Sequence, residues 1–158
     1  MSTKITDLQP KEVWKYFIEI TKIPRPSKKE EKIASYLIDF AKKHKLEYTK
    51  DETGNVLIRK PAVKGFEDRK TVCLQSHMDM VCEKNRDKNF DFEKDAIQAY
   101  VDGEWLTADG TTLGADDGIG IATSLAILAS DKINHGDIEC LFTVDEETGL
   151  TGAFALEA

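Results

Sequence analysis

Short apolar runs alternate along this chain with segments of helical period, and that alternation limits the fold more than any other feature. Pro10 precedes Val13, Trp14, Phe17 and Ile18, apolar residues at helical spacing, so a helix is expected to start just after it. Ile23-Pro24-Arg25-Pro26 breaks that helix. Ser27 with Glu30 reads as a capping box opening a second helix, with Ile33, Leu37, Phe40 and Ala41 on one face. Two strands, 46–50 and 55–59, then flank Thr53-Gly54. The run 71–75 is apolar enough for a sheet centre, while 83–95 is charged and loop-like. Strands 97–101 and 104–107 flank Asp102-Gly103, a hairpin signal. A glycine-rich loop, 114–120, leads into a helix carrying Ile121, Leu125 and Leu128, and 138–144 is a last strand. Helices interleaved with apolar strands predict an α/β fold.

Charge narrows the function. The chain has 158 residues with 22 Lys and Arg against 29 Asp and Glu, a net charge of −7. Nothing supplies the basic footprint that phosphate contacts need, so no nucleic-acid partner is expected. No apolar run approaches a membrane span, and the N-terminus does not read as a signal peptide. Cys73, Cys82 and Cys140 form no CxxC pair and fit reduced thiols. A cytoplasmic location is expected. Cys73 and Cys140 fall in apolar runs and read as buried small hydrophobes.

Three polar clusters follow strands, where α/β sheets gather their sites. In His77-Met78-Asp79, alternation places His77 and Asp79 on one side and Met78 on the other. An imidazole there can hold a metal and the carboxylate can orient it, or both can be ordinary exposed residues. In Gly114-Ala115-Asp116-Asp117-Gly118 the paired acids suit a cation, or one of them caps the following helix. In Asp145-Glu146-Glu147-Thr148-Gly149 one glutamate can hold a metal while its neighbour moves a proton, or the segment is a solvated turn. Together the clusters make His77, Asp116 and Glu147 a one-histidine, two-carboxylate set suited to zinc or manganese. His44 and His135 read as surface residues. No HExxH helix, Gly-x-Ser-x-Gly elbow or Walker loop is present, which leaves two-metal hydrolysis.

The runs 23–27, 54–61 and 74–81, Lys84-Asn85, the stretch 97–120 and Glu146 to Phe154 resemble the Xaa-His dipeptidases, also called aminoacyl-histidine or cytosolic non-specific dipeptidases. The resemblance covers nearly the whole chain. It implies a zinc-peptidase catalytic domain with a mixed sheet flanked by helices. It also implies two zinc ions, with manganese or cobalt compatible. His77 would bind one zinc and Asp79 would orient it. Asp116 would bridge both ions, through a cis peptide bond to Asp117. Glu147 would bind the second zinc, and Glu146 would be the general base. The implied substrate is a short peptide with a free amino end, often ending in histidine, as carnosine-like dipeptides do.

Members of that family are roughly three times as long. They supply a further Asp and a distant His to the metals, and insert a lid domain before returning to complete the sheet. Residues 1–158 are therefore expected to be the N-terminal part of the catalytic domain, inactive alone and with an open sheet edge. A family-like homodimer is expected only with the lid. Two other readings compete. One is a non-enzymatic binding or regulatory module; loss of Glu146 or Asp79 would have favoured it, yet both are present. An aminoacylase or tripeptidase of the same zinc superfamily fits less well around Asp102-Gly103-Glu104-Trp105.

Overall fold

A computed structural model describes residues 4–156. A short 3-10 turn, Ile5–Asp7, precedes α1 (Lys11–Thr21), which starts directly after Pro10. Its buried stripe is Tyr16, Phe17, Ile20 and Thr21, with Val13 and Trp14 packed alongside. Ile18, expected on that stripe, is only half-buried, because the core lies about one residue further round the helix. Helix α2 (Glu31–His44) buries Ile33, Ala34, Leu37, Phe40 and Ala41.

The fold is α/β, as the alternation implies, and the main sheet is mixed, as the resemblance implies. Its order is β1 (Glu47–Lys50), β2 (Val56–Lys60), β6 (Ile138–Thr143), β3 (Val72–His77). The first two pairings are antiparallel, and β3 lies parallel to β6. Alternation divides the faces. Val56, Ile58, Ile138, Cys140 and Phe142 point into one core with α1, α2 and α3 (Ala115–Ala129). Leu57, Leu141 and Cys73 lie on the other face, half-buried or exposed. The run 71–75, read as suited to a sheet centre, falls in β3, which among the described residues lies at an edge of the sheet. For the same reason Cys73 is exposed while Cys140 is buried.

Strands β4 (Ala99–Asp102) and β5 (Trp105–Ala108) form a separate hairpin. Asp102 pairs with Trp105, so the turn residues are Gly103 and Glu104, one position later than the Asp-Gly signal suggested. Gly103 has φ +60°, which suits the first central position of a two-residue turn. A small cluster of Met80, Phe90, Ile97 and Ala108 lies under the long loop. Two one-turn helices, α4 (Glu146–Gly149) and α5 (Thr151–Phe154), follow β6. None of the described helices is long and apolar enough to cross a membrane.

Candidate metal centre

Because β3 and β6 are parallel and in register, both deliver their carboxyl ends to one edge of the sheet. His77, the last residue of β3, pairs with Thr143. The Met78 N–H still donates to the Thr143 carbonyl at 2.7 Å, and its side chain enters the core. That single inward residue leaves His77 and Asp79 on the opposite side, as alternation predicts. The start of α3, packed along β3, brings in the second cluster: His77 Nε2 lies 2.9 Å from Asp116 Oδ1. One ligand atom each from His77, Asp116 and Glu147 lie within 4.8 Å of one another. His77 is buried, Glu147 half-buried and Asp116 exposed, so the group opens to solvent on the Asp116 side.

Asp79 is fully buried and occupied on both oxygens. It accepts from Ser27 Oγ at 2.7 Å and from the backbone N–H groups of Glu146 and Glu147 at 3.0 and 3.1 Å. Its Oδ1 stands 3.3 Å from His77 Nδ1, although Nδ1 has no well-aligned hydrogen-bond partner. Burial pushes the Asp79 pKa up, but His77, Ser27 and the two backbone donors outweigh it and hold the carboxyl well below its usual range. Burial likewise disfavours a charged His77, yet Asp79 and Asp116 more than offset it and raise the imidazole to about 9. Glu147 is pushed up, first by burial and then by the neighbouring carboxylates, an effect that His77 partly opposes.

The two readings of the paired acids divide between the two residues. Asp117 accepts the Gly120 N–H at 3.0 Å and so caps α3, while Asp116 faces His77. The peptide bond between them is cis, as the resemblance implies. The Ser27–Glu30 capping box is not formed. Ser27 is drawn to Asp79 instead, and Glu30 Oε1 accepts from Lys28 N and, across the molecule, from Asp145 N at 3.0 Å. Long-range partners displaced the local pattern. His44 stacks on Phe40. His135, expected at the surface, is half-buried, with Nδ1 against the Gly136 carbonyl. Neither joins the group around His77.

Other supports gave no local signal. Asn55 donates to Asp51 and Gly152 and accepts the Val144 N–H, tying the β1–β2 turn to the end of β6. Buried Asp145 accepts from Thr148 and Thr151 and fixes the turn that presents Glu146 and Glu147. Arg25, read from sequence only as part of a helix break, is 2% exposed and reaches the carbonyls of Met78, Asp79 and Gly114.

The model of peptidase family M20/M25/M40 matches residues 73–158, more than half of the chain and all three polar clusters. The chain belongs to this family. Among its relatives, the cytosol non-specific dipeptidase of Escherichia coli K12 is 50% identical over 98% of this chain. The aminoacylhistidine dipeptidase of Vibrio alginolyticus superposes with a TM-score of 0.96 at 54% identity over 99% of the chain. A Staphylococcus aureus tripeptidase is more distant, with a TM-score of 0.75 at 26% identity over 92%. The chain spans 32% of the length of each of the two dipeptidases and 39% of the tripeptidase.

Proposed function

We propose that this chain is the N-terminal part of the catalytic domain of a two-metal dipeptidase, cytoplasmic and acting on short peptides, Xaa-His dipeptides among them. The convergence of His77, Asp116 and Glu147 within 4.8 Å carries the reading. The donor set fits a divalent cation. One imidazole and two carboxylates suit zinc, with manganese or cobalt compatible, and the acids beside Glu147 repel one another until a cation offsets them. The 50% and 54% identities to named dipeptidases, against 26% to a tripeptidase, favour the dipeptide substrate.

His77 and Asp116 would hold one ion, Asp116 and Glu147 the other. Bound there, the ions would polarise the scissile carbonyl and make water acidic. Asp79, 3.3 Å from His77 Nδ1, would orient the ring on metal binding, with Nε2 facing Asp116. Glu146 takes a proton from the attacking water and passes it to the leaving amine. This chain offers two ligands per ion, fewer than the three usual at catalytic zinc, so it is expected not to turn over alone. The test uses a longer protein that includes this chain. Glu146→Gln should lower hydrolysis of β-alanyl-histidine by about 10²–10⁴ while leaving metal content unchanged. Undiminished turnover in that variant overturns the assignment of Glu146, and chelator-insensitive turnover in the parent overturns the metal reading.

A further inference from the structure

Arg25 lies beneath the centre, and its three hydrogen bonds all go to main-chain carbonyls. Nη1 donates to Met78 O at 3.1 Å and Asp79 O at 2.8 Å, and Nη2 donates to Gly114 O. The first two carbonyls belong to the loop that leaves β3 behind His77. The third belongs to the loop that carries Asp116, 35 residues further along the chain. No other side chain among the described residues donates to both loops. The chain makes room for it. A Cβ on Gly114 would stand 2.5 Å from Arg25 Nη2 and 2.8 Å from Met80 Sδ, and a Cβ on Gly118 would stand 2.8 Å from Nη2. Gly114 also has φ +68°, a backbone state that suits glycine.

A guanidinium buried this deeply is expensive unless its charge is used. Burial lowers its pKa only to about 10, so it stays charged at neutral pH, with Asp79, Asp117 and Asp116 as nearby opposite charges. The planar fork donates from two separate nitrogens, one toward each loop, whereas an ammonium donates from a single point.

We propose that Arg25 is a positioning residue of the metal centre: by joining the His77 loop to the Asp116 loop it sets the spacing of the two ligands. The inference rests on the metal reading above. The site then keeps its ligand geometry before any ion arrives, and affinity depends on a residue that touches no ion.

The test measures Zn²⁺ affinity by chelator competition and the visible spectrum of bound Co²⁺, with far-UV circular dichroism as a check on folding. The proteins are a longer protein that includes this chain and its Arg25→Met, Arg25→Ala, Arg25→Lys and Gly118→Ala variants. Arg25→Met is expected to weaken Zn²⁺ binding by about 10- to 100-fold and to shift the Co²⁺ bands. Arg25→Ala should lose affinity in the same way, and because its short side chain leaves a cavity, millimolar methylguanidinium should restore much of that loss while equal sodium chloride should not. Arg25→Lys should recover little. Gly118→Ala, which keeps the charge but crowds Nη2, should show a smaller loss of the same kind. A folded Arg25→Met protein with parental affinity and spectrum overturns the proposal. So does a loss in Arg25→Ala that methylguanidinium leaves untouched. If Arg25→Met does not fold, Gly118→Ala decides: unchanged metal binding there overturns the proposal. A longer parent protein that takes up no zinc overturns the metal reading and this inference with it.

Discussion

At the scale of single residues, the centre is a set of groups held against their own electrostatic preferences. His77 keeps its proton to about pH 9 in the metal-free chain, whereas a metal takes the neutral ring. Binding at pH 7 should therefore release one proton from His77, and apparent affinity should rise about tenfold per pH unit before levelling above pH 9. Calorimetry in buffers of different ionisation enthalpy measures this, and proton-independent binding would contradict it. The sign for stability is opposite. Because the folded pKa is raised, His77 stabilises the metal-free fold fully below 6.5, and that contribution is lost as pH rises through about 9. Asp79 is more demanding. Asp79→Ala strips acceptors from Ser27 and two backbone N–H groups at a buried position and should cost about 3 kcal/mol or more in urea denaturation. A loss below about 1 kcal/mol would mean the network is not cooperative. His77, Asp116 and Glu147 were legible in the sequence because each directly follows a strand or opens a helix. Arg25, Asn55 and Asp145 were not. Two of them bind main-chain atoms or groups 50 to 100 residues away, and Asp145 was overshadowed by the adjacent glutamates.

At the scale of elements, local patterns located the helices and strands and failed where distant partners compete. The Ser27–Glu30 pattern is a sound local signal, yet both side chains do better across the molecule, on Asp79 and on the Asp145 N–H. The Asp102-Gly103 signal found its hairpin but misplaced the turn by one residue, because pairing register rather than dipeptide identity sets the turn. The end of β6 is a closely packed junction. A Cβ on Gly152 would meet Asn55 Oδ1 and stand 2.6 Å from the Val144 nitrogen. Gly152→Ala should therefore destabilise the fold by about 1–3 kcal/mol and loosen the segment that presents Glu146 and Glu147. A thermal melt and amide exchange of residues 144–152 would show both, and a neutral Gly152→Ala would contradict this packing.

At the scale of the whole molecule, the helices cover one face of the sheet, and β3 stands at the sheet edge with Val72 and Cys73 exposed. An unpaired apolar edge invites pairing with another strand. The isolated chain should self-associate with rising concentration in light scattering, and Val72→Lys should reduce that association. A parental chain that stays monomeric at high concentration would contradict it. Sequence alone placed this strand in a sheet but could not say which strands flank it, since an apolar run reads alike at a centre and at an edge. The central claim concerns the metal pair and is tested most directly by anomalous diffraction from zinc-soaked crystals of a longer protein that includes this chain. The account predicts two peaks about 3.5–4 Å apart with the Asp116 carboxylate between them, His77 on one and Glu147 on the other. Zinc bound away from Asp116, or absent from it, would contradict the account.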